Sequence, residues 1–290
     1  MTAVLAIDLG GTNMRAAQIG PDGLPGAAEN GPAPKSVDEF AARIRVLLKA
    51  NDAGRLGIGV PGLARGSVCT WMPNLGFLDG TDLTELFPGI SIGLGNDAQL
   101  ALLAEATLGA ARGRRDAILL SIGTGIGSAV LSGGRIVRGS KGGACSFGWA
   151  CAEIDDLGDE RNGWLERHAA GRALDAAARG INLADGPALI AAAREGYAAA
   201  VRALEEPMHI LGTTLAGAVG LLDPEVIVIA GGVAAEMDLL APMVREAMNR
   251  QLPPHLRNVE IRAGMFGPKA GLIGAGIAGR QGPDWGDIHG

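Results

Sequence analysis

One pattern occurs twice in this chain: an apolar strand ending at a polar residue, a glycine-rich turn, and a second strand. The first copy is AVLAIDLGGTNMRAAQIG at 3–20 and the second is AILLSIGTGIGSAVLSGGRIV at 117–137. Two halves that open on the same hairpin predict two related α/β domains with a cleft between them. The junction falls at ARGRR, 111–115, which gives domains at 1–112 and 113–280 and a mobile tail at 281–290.

Between and after the hairpins, strand-like and helix-like runs alternate. SVDEFAARIRVLLKA reads as a helix with Ser36 as N-cap and Glu39 closing a capping box. RLGIGV (55–60) and ISIGL (90–94) read as buried strands, and NDAQLALLAEATLGA as a helix from about 96 to 110. Beyond the second hairpin come an irregular glycine-rich stretch, 139–163, and a helical half, 164–222, interrupted near Pro207. A strand at 225–234, a helix at 238–251, a strand at 259–263 and a small-residue helix at 268–280 complete the pattern.

A tight glycine turn can aim several backbone N–H groups into one small volume, a concavity that binds anions and lets a phosphate approach closely. DLGGTN (8–13) and SIGTGIG (121–127) both suit this role, and together they would clamp a polyphosphate from two sides. Asp8, at a strand end beside such a turn, is placed to hold magnesium through water. The alternative is an ordinary pair of hairpin turns. GAGIAG (274–279) matches a dinucleotide fingerprint but lacks the preceding strand and the acidic residue about 20 positions on. GTGIGS (123–128) carries Ser128 in place of the third glycine.

Asn96 and Asp97 stand where a strand runs into a helix. They read as an N-cap and a dipole-stabilised acid. The same place, the carboxyl end of a strand, is where α/β folds keep their clefts. There Asp97 can accept a proton from a substrate hydroxyl, and Asn96 can hold a neighbouring one.

The bulk properties exclude other classes. A net charge of -6 argues against binding a nucleic-acid backbone. No run reaches the ~18 apolar residues of a membrane span, and the first strand begins too early for a signal peptide. These features predict a cytoplasmic protein. Cys69, Cys145 and Cys151 lack Cys-x-x-Cys spacing and read as reduced core residues.

DLGGTN, GVPG, GND, GTGIG and DPEVIVIAGG, in this order and spacing, resemble the ROK family of sugar kinases and repressors. The resemblance spans residues 3 to about 280. It implies the two-domain actin-like ATPase fold (ribonuclease H-like, sugar-kinase type), with the last helix crossing back to the first domain. It also implies ATP and Mg²⁺ as cofactors, a hexose as substrate, phosphorylation at the 6-hydroxyl, and a homodimer. Phosphate contacts would come from Gly10, Gly11, Thr12, Asn13, Gly123, Thr124 and Gly125. Asp97 would be the base, Asn96 would hold a sugar hydroxyl, Pro61 and Gly62 would wall the sugar, and Gly231 and Gly232 would flank the adenosine. With nothing preceding the first hairpin, the repressor branch is not expected.

One region departs from the family. Where members show Gly-Glu-x-Gly-His and then Cys-x-Cys-Gly-x-x-Gly-Cys-x-Glu, with a structural zinc, this chain has CSFGW (145–149) and LGDERNGWLE (157–166). Ser146 replaces a sugar-binding Glu and Trp149 the zinc-binding His, and Leu157, Asp159 and Trp164 replace cysteines. No zinc is expected, since these residues do not supply four donors. Packing of Trp149 and Trp164 is expected to substitute for it. Trp149 either stacks on the sugar or fills space, Glu166 is the remaining carboxylate for the sugar, and His168 reads as a surface residue. The altered loop leaves amino sugars (kanosamine, glucosamine, N-acetylmannosamine) open as substrates and polyphosphate open as donor. A catalytically silent sugar-binding sensor is the rival outside the kinase class.

Overall fold

The computed structural model describes residues 2–288. In chain order the elements are β1 (Ala3–Leu9), β2 (Asn13–Gln18), β3 (Glu29–Pro32), α1 (Val37–Ala50), β4 (Ala53–Val60), β5 (Leu63–Arg65), β6 (Val68–Trp71), α2 (Leu83–Leu86), β7 (Ser91–Asn96) and α3 (Asp97–Leu108). They continue as β8 (Ala117–Ile122), β9 (Ile126–Ser132), β10 (Arg135–Ile136), α4 (Trp164–Ala169), α5 (Gly171–Gly180), α6 (Gly186–Arg194), α7 (Ala198–Leu222), β11 (Val226–Gly231), α8 (Met237–Gln251), β12 (Glu260–Ala263) and α9 (Ala270–Gln281). Two five-stranded sheets result, ordered β3-β2-β1-β4-β7 and β10-β9-β8-β11-β12, with β5 and β6 as a separate pair.

The chain divides into two compact units, but not into two contiguous blocks. The first unit runs to Gly113 and regains Ala129–Cys145 and everything from Pro268 onward; the second is Arg114–Ser128 with Ser146–Gly267. A cut at 112/113 therefore captures only the first of several crossings. In sequence the later crossings are invisible, because one of them falls inside the uninterrupted strand β9.

In the first unit, alternation along the strands separates two faces. Leu5, Ile7, Leu56, Ile58, Ile92 and Leu94 join Phe40, Ile44 and Leu47 of α1 in one buried cluster. Burying side chains of this size contributes about 1.5–3 kcal/mol each. On the other face α9 lies directly against the strands. A Cβ at Gly57 would fall 1.7 Å from the Ala275 carbonyl oxygen, and one at Gly93 would fall 2.2 Å from that of Ala278. GAGIAG is thus the buried stripe of a packed helix rather than a nucleotide loop, as its lack of a preceding strand indicates.

Several local expectations need correction. Ser36 caps α1 by accepting from Glu39 N, but Glu39 Oε2 accepts from Lys35 N (2.8 Å), one residue ahead of the cap. Pro207 does not interrupt the helical half: α7 runs through it, with Leu204, Met208 and Leu211 buried around it. That apolar packing outweighs the one donor a proline removes. Cys69 is buried as expected, but Cys151 is exposed, because it lies in the irregular loop rather than in a core element.

The tail is not a loose end over the residues described. Trp285 is only 1% exposed, and Ile136 N donates to Gly286 O at 2.7 Å. Residues 289 and 290 of the expected tail lie outside the described residues. Among the described residues, no helix is long and apolar enough to cross a membrane.

Candidate active site

The parallel register of the first sheet places the catalytic candidates. Asp8 on β1 pairs with Gly59 on β4, and Gly59 pairs with Gly95 on β7. With neighbouring strands about 4.8 Å apart, Asp8 and the Asn96–Asp97 step sit two strands from each other at the carboxyl ends. These ends are where open α/β sheets bind ligands.

Asn96 caps α3: its Oδ1 accepts from Ala98 N at 3.0 Å and Gln99 N at 3.4 Å. Its Nδ2 donates to Gly62 O at 3.0 Å, which ties the Pro61–Gly62 turn to the start of the helix. The same side chain also hydrogen-bonds the Asp97 carboxylate, which favours its anion. Asp97 is exposed to solvent, yet protein crowds it closely on its inner side. Burial pushes its carboxyl up to about 6, and the Asp8 charge adds to the shift. The Ala98 amide, 2.7 Å from Oδ1, opposes the shift by favouring the anion.

Asp8 is also raised, by burial, against the pull of Arg15. Arg15 Nη1 stands 3.8 Å from Asp8 Oδ2 and donates to Pro268 O at 2.7 Å. No sequence motif singles out Arg15; the hint is its position directly opposite Asp8 in the β1–β2 register. Magnesium in ATP-using sites is held by one or two carboxylates with water and substrate phosphates. A partly exposed Asp8 at a strand end, with Asp97 close enough to feel its charge, fits that chemistry.

The first glycine turn closes through Gly10 N to Asn13 O (2.8 Å), and Gly11, Thr12 and Asn13 are exposed. Asn74, which no motif singles out, lies against it: a Cβ at Gly11 would meet that of Asn74 at 2.9 Å.

The second unit presents the other turn. Gly123 N donates to Gly125 O, and Gly123 O accepts from Gly171 N at the start of α5. Gly123 and Thr124 are exposed. Gly231, at φ +82, pairs with Ile122 on β8, so the Gly231–Gly232 step lies beside this turn. Glu166 Oε1 accepts from Ile126 N at 2.8 Å, and Oε2 accepts from Gly163 N at 3.1 Å. The carboxylate expected on a sugar is therefore already engaged with backbone, although each oxygen keeps a further lone pair.

In the departing loop, Ser146 and Trp149 are exposed, Trp149 to 46%. The paired-indole packing expected there does not form, since Trp149 is left outside. Trp164 is buried instead and stacks on His168, ring centroids 4.5 Å apart, while His168 Nδ1 is 2.7 Å from Trp164 O. His168 is half-buried, with its ring packed on Trp164. Leu157 is fully exposed, and Asp159 Oδ1 is engaged by Arg161 N and Asn162 N. These side chains do not fit zinc, which takes Cys, His or carboxylate donors in a tetrahedral array. The loop is tied down by Arg167 Nη2 to Asp156 Oδ1, 2.7 Å apart, and the hydrogen bond from Arg167 holds the Asp156 carboxyl low.

Two α/β units, each with a five-stranded sheet and an exposed glycine turn, define the actin-like ATPase fold found in sugar kinases. The chain belongs to the ROK family, whose model matches residues 4–281. It is 28% identical over 318 residues to a glucokinase of Streptomyces coelicolor, covering 98% of this chain and 99% of that one. It is 31% identical over 292 residues to an N-acetylmannosamine kinase of Shigella boydii, with 94% and 97% covered. Among solved structures it is similar to a ROK family glucokinase from Streptomyces griseus in complex with glucose and AMPPNP. That match has a TM-score of 0.78 and 26% identity, and covers 97% of this chain and 100% of that one.

Proposed function

We propose that this protein is an ATP-dependent hexose kinase that transfers the terminal phosphoryl group to the 6-hydroxyl of glucose or a related hexose. The observation that carries the proposal is Asp97, exposed at the carboxyl end of β7 and within electrostatic reach of Asp8. Asp97 takes the hydroxyl proton as that oxygen bonds to the terminal phosphorus. The bond from phosphorus to the bridging oxygen breaks, and ADP leaves with that oxygen. Asn96 and Gly62 orient the sugar, with Ser146, Trp149 and Glu166 as further sugar-side groups. The family resemblance makes Gly10, Gly11, Thr12, Asn13, Gly123, Thr124 and Gly125 the amide donors to phosphate. Gly231 and Gly232 flank the adenosine. Asp8 is the residue that would hold Mg²⁺, which when bound would neutralise charge on the phosphoryl oxygens.

A second reading is an amino-sugar kinase. It is supported by the N-acetylmannosamine kinases among the relatives and by Ser146, short and exposed where the family places a carboxylate. ADP release measured across glucose, mannose, kanosamine, glucosamine and N-acetylmannosamine ranks the two. Sugar binding by calorimetry with no ADP formed from any sugar would replace both readings by a sensor. Asp97→Asn is expected to bind sugar and to lose about 10²–10⁴-fold in kcat; near-normal turnover would remove the mechanism. The family resemblance also supports a cytoplasmic homodimer, which sedimentation of the purified protein would test for assembly state.

A further inference from the structure

The family match stops at residue 281, the last residue of α9. The chain past that point is nonetheless built into the fold. The Gln281 side chain holds the turn from both sides, Oε1 accepting from Gly286 N (2.8 Å) and Nε2 donating to Asp287 O (2.6 Å). Residues 286–288 then run beside β10: Ile136 N donates to Gly286 O, and Ile288 N donates to Gly134 O at 3.0 Å. This arrangement places Trp285 under β7. Its indole Nε1 donates to Leu94 O at 2.8 Å. Its ring edge presses so close to the next residue that a Cβ at Gly95 would meet Cζ2 at 2.5 Å. The Arg138 guanidinium covers the ring 5.2 Å from its centroid and donates to Pro283 O at 3.3 Å.

Among the described residues β7 is the outer strand of its sheet, with β4 as its ladder neighbour. Its end carries Asn96 and Asp97, held on one side by β4 and by the bond from Asn96 Nδ2 to Gly62 O. Trp285 adds a donor for the Leu94 carbonyl and a rigid ring beneath Gly95. Gly95 precedes Asn96 directly, so the ring contact lies two peptide units from Asp97.

We infer that Trp285 is a positioning residue for Asp97, and that the 282–288 tail is a strap holding the catalytic strand end in register. This inference rests on the reading of Asp97 as the base. A displacement of about 1 Å at a reacting group costs on the order of 100-fold in rate, which sets the scale of the effect. In the full-length protein, Trp285→Ala is expected to lower kcat about 10–100-fold while the KM values for sugar and ATP stay within about two-fold. Trp285→Phe keeps a ring under Gly95 but cannot donate to Leu94 O, and is expected to fall between Trp285→Ala and wild type. A merely structural tryptophan would lower the melting temperature and the competent fraction but not the turnover per competent site. Rates are therefore normalised to sugar-binding stoichiometry from calorimetry. Wild-type kcat per competent site in both variants would overturn the inference; if Trp285→Ala does not fold, Trp285→Phe decides alone. A wild-type protein that phosphorylates no sugar of the panel defeats the kinase reading instead, so the two failures are distinct.

Discussion

The Glu166 carboxylate accepts the Ile126 amide at 2.8 Å, joining the first residue of β9 to helix α4 across 40 positions of sequence. Its other oxygen takes the Gly163 amide at the start of that helix. One side chain thereby braces both the second glycine turn and the end of the altered loop.

Glu166→Gln keeps one acceptor oxygen and turns an NH₂ group toward the other amide. An amide left facing a donor costs about 1–3 kcal/mol, so the melting temperature should fall. The KM for ATP should rise, because Ile126 directly follows the turn. A stability and an ATP KM equal to wild type would show that the brace is dispensable.

A base must be anionic to accept a proton. Burial, with Asp8 adding to it, moves the Asp97 carboxyl from 3.8 up to about 6. The acid limb of kcat/KM is therefore expected near pH 6, with activity rising as pH increases through it. A limb near pH 4 in a pH–rate profile would place Asp97 in open solvent or outside the reaction.

The same shift makes Asp97 a burden on the fold. The folded protein binds this proton more tightly than the unfolded chain. Its stabilising contribution is full below pH 3.8 and is lost as pH rises through about 6. Asp97→Asn should thus melt higher than wild type at pH 7.5, by about 1–3 °C once solvent screening of an exposed group is allowed for. The gap should close toward pH 4. A lower melting point at pH 7.5, or a gap that ignores pH, would contradict this.

Arg167→Ala removes the tie from α4 to Asp156. Limited proteolysis should then cut within 151–163 faster than in wild type, with the rest of the chain unaffected. An unchanged digestion pattern would mean that the Trp164–His168 stack holds the loop without help.

Much of the site is legible because its signals are local. Asn96 and Asp97 announce themselves as strand end and helix start, and the glycine turns by composition. The hidden part depends on residues far apart in the chain. Asn74 gains meaning only against Gly11, and Trp285 only beneath Gly95, 190 positions earlier. For the indole at 149, only the packing alternative fails. A tryptophan reads as core by hydrophobicity, but Trp149 is exposed, and the ring buried in this region is Trp164, stacked on His168 one helical turn on.

The bare contact between α9 and the strands sets an order of assembly. Gly57 and Gly93 leave one face of the first sheet without side chains at those points, and the cover is Ala275 and Ala278. A ribosome finishes Asp8 and Asp97 early, but the whole second unit must emerge before that cover exists. The half of the molecule bearing the proposed chemistry is begun first and sealed last.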